Sequence, residues 1–185
     1  SSGQLWFALI LIAFAALVLG MGLPATAAYI VLAVMTGPAL QDLGLPLLVA
    51  HMIIFWLAQT SNVTPPIALA AFAGAGIAGA SPMKSAFSAF KLANGLFLIP
   101  LMMAYSSLLL VDGNSWGDVI LSSVCTLLIM LLIAITLEGF WSKPFTVFQR
   151  TLAAALALLL IWPSLSTRLV GFLGFVTFIL VFRGH

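Results

Sequence analysis

The stretch Ser61-Asn62-Val63-Thr64-Pro65-Pro66 places polar side chains and a proline pair inside an otherwise apolar segment. The run 46–58 before it is apolar apart from His51, and the run 67–80 after it is nearly all Ala and Gly. Proline has no N–H and pushes the preceding residue out of helical geometry. We therefore predict one discontinuous helix over residues 46–80, broken at this stretch.

The composition of the chain is that of a membrane protein. Of its 185 residues, 64% are hydrophobic and only 5% are charged, whereas ordinary globular domains carry about 25% charged residues. The deficit runs through the whole chain, which excludes a soluble enzyme with one anchor. Six basic and four acidic side chains are too few for a nucleic-acid-binding face. We predict an all-α, polytopic protein whose surroundings are the lipid bilayer.

A second polar break precedes the first. The apolar run 5–19 ends at Gly20-Met21-Gly22-Leu23-Pro24-Ala25-Thr26, and a shorter apolar stretch, 27–35, stops at Thr36-Gly37-Pro38. Two full spans or one re-entrant hairpin over residues 4–40 would fit the topology, and the short second arm favours the hairpin. Irregular backbone exposed to lipid is not tolerated at membrane depth. Both breaks must therefore be enclosed by protein or line a cavity.

The second half of the chain has the pattern of conventional transmembrane helices. Residues 81–91, with two lysines among Ser, Phe and Ala, are typical of a short amphipathic connecting helix at the surface. Transmembrane helices are predicted beyond it at 92–111, 119–140, 151–166 and 169–182. Trp162-Pro163-Ser164 and Arg168 interrupt the last region, so that one broken span is the alternative to the two we favour.

The charges in the connecting segments predict the topology. Basic residues lie on both sides of an acidic loop: Lys84 and Lys91 before it, Asp112 and Asp118 within it, and Lys143 and Arg150 after it. By the positive-inside rule, segments 81–91 and 142–150 are cytoplasmic and loop 112–118 is on the outside. Arg183 then returns to the cytoplasmic face.

The two breaks have the chemistry of an ion and substrate site. Backbone groups that lose their partners in a membrane cost several kcal/mol each unless a ligand replaces them. The half-helix ending near Thr60 would aim carbonyl oxygens at the break, where they can bind Na⁺. The half-helix starting at Pro66 would aim N–H groups there, which suits a carboxylate. The candidate ion- and substrate-binding residues are Gly22, Pro24, Ala25, Thr26, Ser61, Asn62, Val63, Thr64, Pro65 and Pro66, and the candidate Na⁺ ligands are Gly22, Thr26, Asn62 and Thr64.

Other roles for these features stay open. The breaks can be packing kinks in a structural or channel-like helix bundle without a transport site of its own. His51 is more simply a histidine with satisfied hydrogen bonds than a functional one. The lack of ionisable groups at the breaks favours Na⁺ as the coupling ion, and His51 leaves H⁺ as the alternative. No zinc, nucleophile-elbow or phosphate-loop motif is visible, so we expect neither an enzyme nor an organic cofactor.

Two of these stretches resemble one known family. Residues 20–29 (GMGLPATAAY) and 62–72 (NVTPPIALAAF) resemble the large membrane subunit of tripartite ATP-independent periplasmic (TRAP) transporters, and residues 76–84 (GIAGASPMK) are similar as well. The resemblance is closest to the fused, TAXI-type permeases. It implies ion-driven symport of an organic acid or similar small solute across the bacterial inner membrane by an elevator mechanism. It also implies two partners, a periplasmic solute-binding protein and a small TRAP membrane subunit or its fused equivalent.

The resemblance also assigns positions within the family architecture. Residues 22–26 would be the tip of the hairpin, and residues 61–66 the unwound centre of its partner helix. Together they would make the ion site of the second inverted repeat, with residues 1–80 as half of the transport domain. The family has two such repeats, so we expect this chain to be the C-terminal half of a permease, and the missing N-terminal repeat to be a further partner.

Overall fold

The computed structural model describes residues 2–111, 113–140, 144–162 and 164–182. These residues form α-helices, one 3-10 turn at Thr60–Asn62 and connecting turns, without a β-strand, which confirms the predicted all-helical class. The helices are α1 (Ser2–Leu19), α2 (Ala25–Asp42), α3 (Leu47–Ala58), α4 (Leu69–Ala78), α5 (Pro82–Leu92), α6 (Gly95–Tyr105), α7 (Trp116–Glu138), α8 (Val147–Ile161) and α9 (Leu165–Phe182). They belong to two compact units, Ser1–Ala104 and Tyr105–His185.

The surface of these helices is suited to lipid. The helical stretches Pro82–Tyr105 and Trp116–Glu138, of 24 and 23 residues, are long and apolar enough to cross a bilayer. Large apolar side chains are widely exposed, and Ile77 is 91% exposed. In water such a surface would be an aggregation hazard, so the exposed faces indicate a membrane-embedded protein.

In the first unit, α2 is longer than the sequence predicted. It runs on through Pro38 to Asp42 and has 18 residues, the same number as α1. A proline removes one helical hydrogen bond, but membrane helices tolerate it where side chains and neighbouring helices compensate. Here α2 packs against both α1 and α3. The second arm is therefore not short, and its length no longer favours a re-entrant hairpin over two full spans.

The discontinuity between α3 and α4 is wider than expected. The incoming helix ends at Ala58 and the outgoing helix begins at Leu69, not at Pro66. Ala68, just before α4, has a left-handed backbone with φ +38°, so the chain turns sharply before a helix can start. Pro65 and Pro66 lie in the break itself, joined by a cis peptide bond, rather than in the first turn of α4.

The end of the first unit also departs from the predicted bounds. Helix α5 occupies the predicted amphipathic segment and is separated from α6 only by the turn at Ala93 and Asn94. Helix α6 ends at Tyr105 instead of at 111. The N–H of Leu108 bonds to the carbonyl of Ser106 at 2.8 Å, so the chain turns directly after the helix.

The second unit is built on α7, α8 and α9, with α8 packed against both of the others. Capping boxes start α7 at Ser115 and Asp118 and α8 at Thr146 and Gln149, so both helices begin three to four residues before their predicted starts of 119 and 151. Helix α7 ends at Glu138, because Gly139 takes the left-handed cap conformation with φ +65°.

The last two helices meet at Trp162 and Ser164. Helix α8 stops at Ile161 rather than 166, as expected for a chain approaching Pro163. The hydroxyl of Ser164 accepts the N–H of Thr167 at 3.3 Å and caps α9. Helix α9 thus starts at Leu165 rather than 169, and Arg168 lies inside it. Three charged residues of the topology prediction, Asp112, Lys143 and Arg183, lie outside the described residues.

Candidate ion-binding site

Two buried threonines shape the break. The Thr60 hydroxyl donates to the carbonyl of Leu57 at 2.7 Å, and the Thr64 hydroxyl donates to the carbonyl of Thr60 at 2.6 Å. The Thr60 carbonyl also accepts the N–H groups of Val63 and Thr64, at 3.3 and 3.0 Å. Both side chains are at least nine-tenths buried. The carbonyls of Leu57 and Thr60, at the end of the incoming helix, are therefore satisfied within the chain.

The carbonyls of the next three residues, 61–63, do not accept a hydrogen bond within the described chain. In a helix, the carbonyls of Ser61 and Asn62 would accept from the N–H groups of residues 65 and 66, and both of those residues are prolines. The carbonyls of Ser61, Asn62 and Val63 have no donor anywhere in the described chain, and the ladder resumes only with the bond from Ala68 N–H to the Thr64 carbonyl at 3.1 Å. The break thus presents three consecutive free carbonyl oxygens.

The start of α4 supplies the complementary groups. The first helical bond runs from Phe72 N–H to the Ala68 carbonyl at 2.9 Å. Among the described residues no acceptor meets the N–H groups of Leu69, Ala70 and Ala71, as is usual for a first helical turn. These donors, with the positive end of the helix dipole, favour a negatively charged ligand.

The turn after α1 packs against the break. A methyl group placed on Gly20 would overlap the side chain of Ser61, and the 3-10 turn packs against α1, α3 and α4. Ser61 is 2% exposed, and its hydroxyl has no hydrogen-bond partner within the described parts of the chain. This hydroxyl is therefore available to a ligand.

The predicted site residues differ in their exposure. Ser61 and Thr64 are buried. Ala25, Asn62, Val63 and Pro65 are half-buried, whereas Gly22, Pro24, Thr26 and Pro66 are exposed. The contact that links the two breaks is between Gly20 and Ser61, and for the described residues no hydrogen bond joins Gly22 or Thr26 to Asn62 or Thr64. The Na⁺ ligand set stays a prediction.

Two side-chain oxygens of that set keep free lone pairs. The Asn62 amide nitrogen donates to the Gln59 side-chain oxygen at 3.4 Å, which leaves the Asn62 oxygen as an acceptor. The Thr64 hydroxyl donates its proton to Thr60, which leaves its oxygen able to bind a cation. Both therefore remain suitable as neutral ligands.

Two residues of this region were missed by the sequence analysis. Thr60 was treated only as the end of the incoming helix, although its buried hydroxyl helps to form the break. Gly20 was part of the motif that resembles the family but was not assigned to the site. A glycine at the end of an apolar run is a signal of close packing, but the sequence does not say against what.

His51 is a satisfied histidine, as the simpler interpretation held. Its Nδ1 lies 3.0 Å from the Tyr29 hydroxyl, and the two rings meet edge to face with centroids 6.2 Å apart. The tyrosine ring also contacts Phe55 edge to face. His51 thereby connects α2 to α3.

The chain matches one known family. Residues 1–111 match the family described as "Tripartite ATP-independent periplasmic transporter, DctM component". The matched residues include α1 to α6 and both breaks. Comparison with curated proteins and with solved structures gave no match.

Proposed function

The chain belongs to the DctM-component family of tripartite ATP-independent periplasmic transporters, and on that premise we propose that it couples solute import to an ion bound at residues 61–66. The family is one of transporter membrane subunits rather than of enzymes, and we place this permease subunit in the inner membrane of a bacterium. Its members work with a periplasmic binding protein and a small membrane subunit. We further propose the identity of the coupling ion, the class of the solute and the transport mechanism.

One observation carries the ion site. The carbonyls of Ser61, Asn62 and Val63 have no donor in the described residues, and leaving three such groups unpaired in a membrane is costly. A cation bound by these oxygens removes that cost. The side-chain oxygens of Asn62 and Thr64 lie in the same short stretch and complete a neutral ligand set, together with Gly22 and Thr26 from the turn before α2.

The lengths of the two half-helices support a site near the middle of the bilayer. At 1.5 Å per residue, α3 is about 18 Å long and α4 about 15 Å, and each covers roughly half of the ~30 Å hydrocarbon core. Discontinuous helices that meet at this depth are the usual design of secondary transporter sites. The break would then lie where alternating access must expose it to each side in turn.

Na⁺ is our preferred coupling ion. None of the residues 61–66 is ionisable, and neutral oxygens bind a cation without needing to release a proton. His51 is the ionisable residue on α3, and it is already bonded to Tyr29. Coupling to H⁺ through His51 is the alternative.

The solute we propose is an organic acid. The free N–H groups of Leu69, Ala70 and Ala71 suit a carboxylate bound beside the cation. From the resemblance come the finer parts of the proposal: an elevator mechanism, a TAXI-type permease, a hairpin tip at residues 22–26, and a second inverted repeat whose partner is the N-terminal repeat. In the same proposal, segments 81–91 and 142–150 are cytoplasmic and loop 112–118 is periplasmic.

A structural or channel-like bundle is the second candidate. It is favoured by the hydroxyls of Thr60 and Thr64, which bond to carbonyls within the break as side chains do at ordinary kinks in membrane helices. In that case the break needs no ion, and Na⁺ should have no specific effect on the protein.

The test is the specific stabilisation of the purified protein by Na⁺. Thermal unfolding is followed in NaCl and in KCl at equal ionic strength, for the wild type, Thr64→Val and Thr36→Val. Thr36 is the matched control, because its hydroxyl also donates to the carbonyl four residues earlier, at 2.8 Å, but within α2. We expect Na⁺ to raise the unfolding temperature of the wild type and of Thr36→Val, and not that of Thr64→Val. Equal unfolding temperatures in both salts for the wild type would favour the structural alternative.

A further inference from the structure

The second unit contains a polar cavity that the proposed function does not use. Its volume is about 330 Å³. It lies where residues 105–107 meet the first turns of α7 and α9. Its polar lining residues are Tyr105, Ser106, Ser107, Asp118, Ser122 and Arg168. Helices α7 and α9 lie outside the residues that match the transporter family, whereas residues 105–107 lie within them.

Arg168 is the decisive side chain of the cavity. It is 8% exposed, and its Nε is buried without a hydrogen-bond partner. Its one hydrogen bond from the guanidinium to a described residue runs from Nη1 to the Ser122 hydroxyl, at the long distance of 3.5 Å. A guanidinium has five N–H donors in a planar fork, so most of its donors remain available.

No protein carboxylate compensates this charge in the described chain. Asp118 lines the same cavity, but it forms no ion pair with Arg168. Its Oδ2 instead accepts the N–H of Ser115 at 3.0 Å and the Ser115 hydroxyl at 2.7 Å, in the capping box of α7. A buried, unpaired guanidinium is strongly unfavourable. An anion bound in the cavity would compensate it.

Ser122 offers a second hydrogen-bond donor beside Arg168. Its side chain is 1% exposed, and its oxygen accepts from Arg168. Within the described residues its own O–H has no acceptor. An oxyanion in the cavity would accept that proton as well as the guanidinium N–H groups.

Two exposed tryptophans lie near the cavity residues in the sequence. Trp116 begins α7 and Trp162 follows α8, and they are 69% and 66% exposed, as is typical of tryptophans at the level of the lipid headgroups. Ser122 follows Trp116 by six residues, which is about 9 Å along a helix. Arg168 is the fourth residue of α9. The guanidinium is thus about two turns of helix from the aromatic level.

We propose that this cavity binds an oxyanion group, a phosphodiester or a carboxylate, through the Arg168 guanidinium and the Ser122 hydroxyl. Arginine binds both kinds of group with two parallel N–H bonds. The phosphodiester source is an anionic membrane lipid, and the carboxylate source is a small soluble acid. The site is independent of the ion site in the first unit, so each proposal can fail without the other.

Isothermal titration calorimetry of the purified full chain in uncharged detergent tests the proposal. Three titrants are used at constant ionic strength: dihexanoyl phosphatidylglycerol as its potassium salt, dihexanoylglycerol as its phosphate-free counterpart, and potassium acetate, so that no Na⁺ is added. The variants are Arg168→Gln and Arg168→Lys, with Lys91→Gln as the control. Lys91 is exposed and lies in the other unit, so its removal tests a general effect of charge.

We expect saturable binding of phosphatidylglycerol or of acetate, weakened roughly tenfold or more by Arg168→Gln and unchanged by Lys91→Gln. The titrant that binds identifies the source as lipid or soluble acid. Should Arg168→Gln not fold, Arg168→Lys carries the test, because it keeps the charge and loses the planar fork, and weaker binding is again expected. The proposal is overturned if neither oxyanion binds saturably, if dihexanoylglycerol binds as tightly as phosphatidylglycerol, or if the folded arginine variant binds like the wild type.

Discussion

Gly20 and Ser61, forty-one positions apart in the sequence, pack so closely that a methyl group on the glycine would overlap the serine side chain. This contact joins the end of α1 to the 3-10 turn in the break. It is the point at which the two polar breaks of the sequence meet. The Ser61 side chain is therefore adjacent to the turn that follows α1.

Gly20→Ala should destabilise the protein by about 1–3 kcal/mol, the usual cost of forcing an extra methyl into a packed site. Gly22→Ala is the control, because the same addition two residues later meets nothing within 4 Å. Thermal or denaturant unfolding in detergent measures both. Equal stability of the two variants would mean that the contact between Gly20 and Ser61 is not tight.

Ala68→Gly should be tolerated far better than Ala75→Gly. Both alanines are buried, so both variants lose one packed methyl, but only Ala68 has a left-handed backbone, which costs an L-residue about 1–2 kcal/mol. Glycine relieves that cost at position 68, whereas at position 75 it adds helix-breaking entropy. We expect the Ala68→Gly protein to be more stable than the Ala75→Gly protein by about 1–2 kcal/mol in unfolding experiments. The reverse order would contradict the left-handed geometry.

Arg150→Gln should weaken the pairing of α7 with α8. The Arg150 side chain donates to the carbonyls of Thr136 and Leu137, at 2.9 and 3.2 Å, at the negative end of α7. Loss of these bonds should cost about 1–2 kcal/mol, measured by unfolding, while Lys91→Gln at an exposed position should change stability by less than about 0.5 kcal/mol. Comparable losses in the two variants would argue against the capping role of Arg150.

Cysteine labelling tests the proposed topology. The natural Cys125 is buried and is first replaced by serine. A cysteine at exposed Gly117 should then react with a membrane-impermeant maleimide from the periplasmic side, and one at exposed Ser88 only after the membrane is opened. Labelling of both positions from the same side would contradict the positive-inside assignment.

The sequence was sufficient for the features that depend on composition. The apolar content predicted a helical membrane protein, and the proline pair predicted a discontinuous helix at residues 61–66. The proline signal is local and strong, because two missing N–H groups interrupt a helix wherever they occur. The prediction that His51 has a hydrogen-bond partner is also confirmed. The identity of that partner, Tyr29 on another helix, could be found only from the structure.

The helix ends were less predictable, and for specific reasons. The pattern Thr36-Gly37-Pro38 predicts the end of a helix, but α2 continues through Pro38, because a packed neighbour can stabilise a helix that contains proline. The starts of α7 and α8 were placed at their apolar runs, although the polar capping boxes at Ser115 and Thr146 begin each helix earlier. The sequence pattern places Arg168 at an interruption between two predicted helices. Its burial against Ser122 depends on packing of α9 against α7, which no local pattern encodes.

Equilibrium binding of radioactive sodium to the purified protein is the sharpest test of the proposed Na⁺ site at residues 61–66. Wild type, Asn62→Ala, Thr64→Val and the control Thr36→Val are compared with excess unlabelled Na⁺ or K⁺ as competitor. We expect saturable binding to the wild type and to Thr36→Val, displaced by Na⁺ but not by K⁺, and binding weakened roughly tenfold or more in both variants of the break. Unchanged Na⁺ affinity in folded Asn62→Ala and Thr64→Val, or no saturable binding to the wild type, would contradict the proposed site.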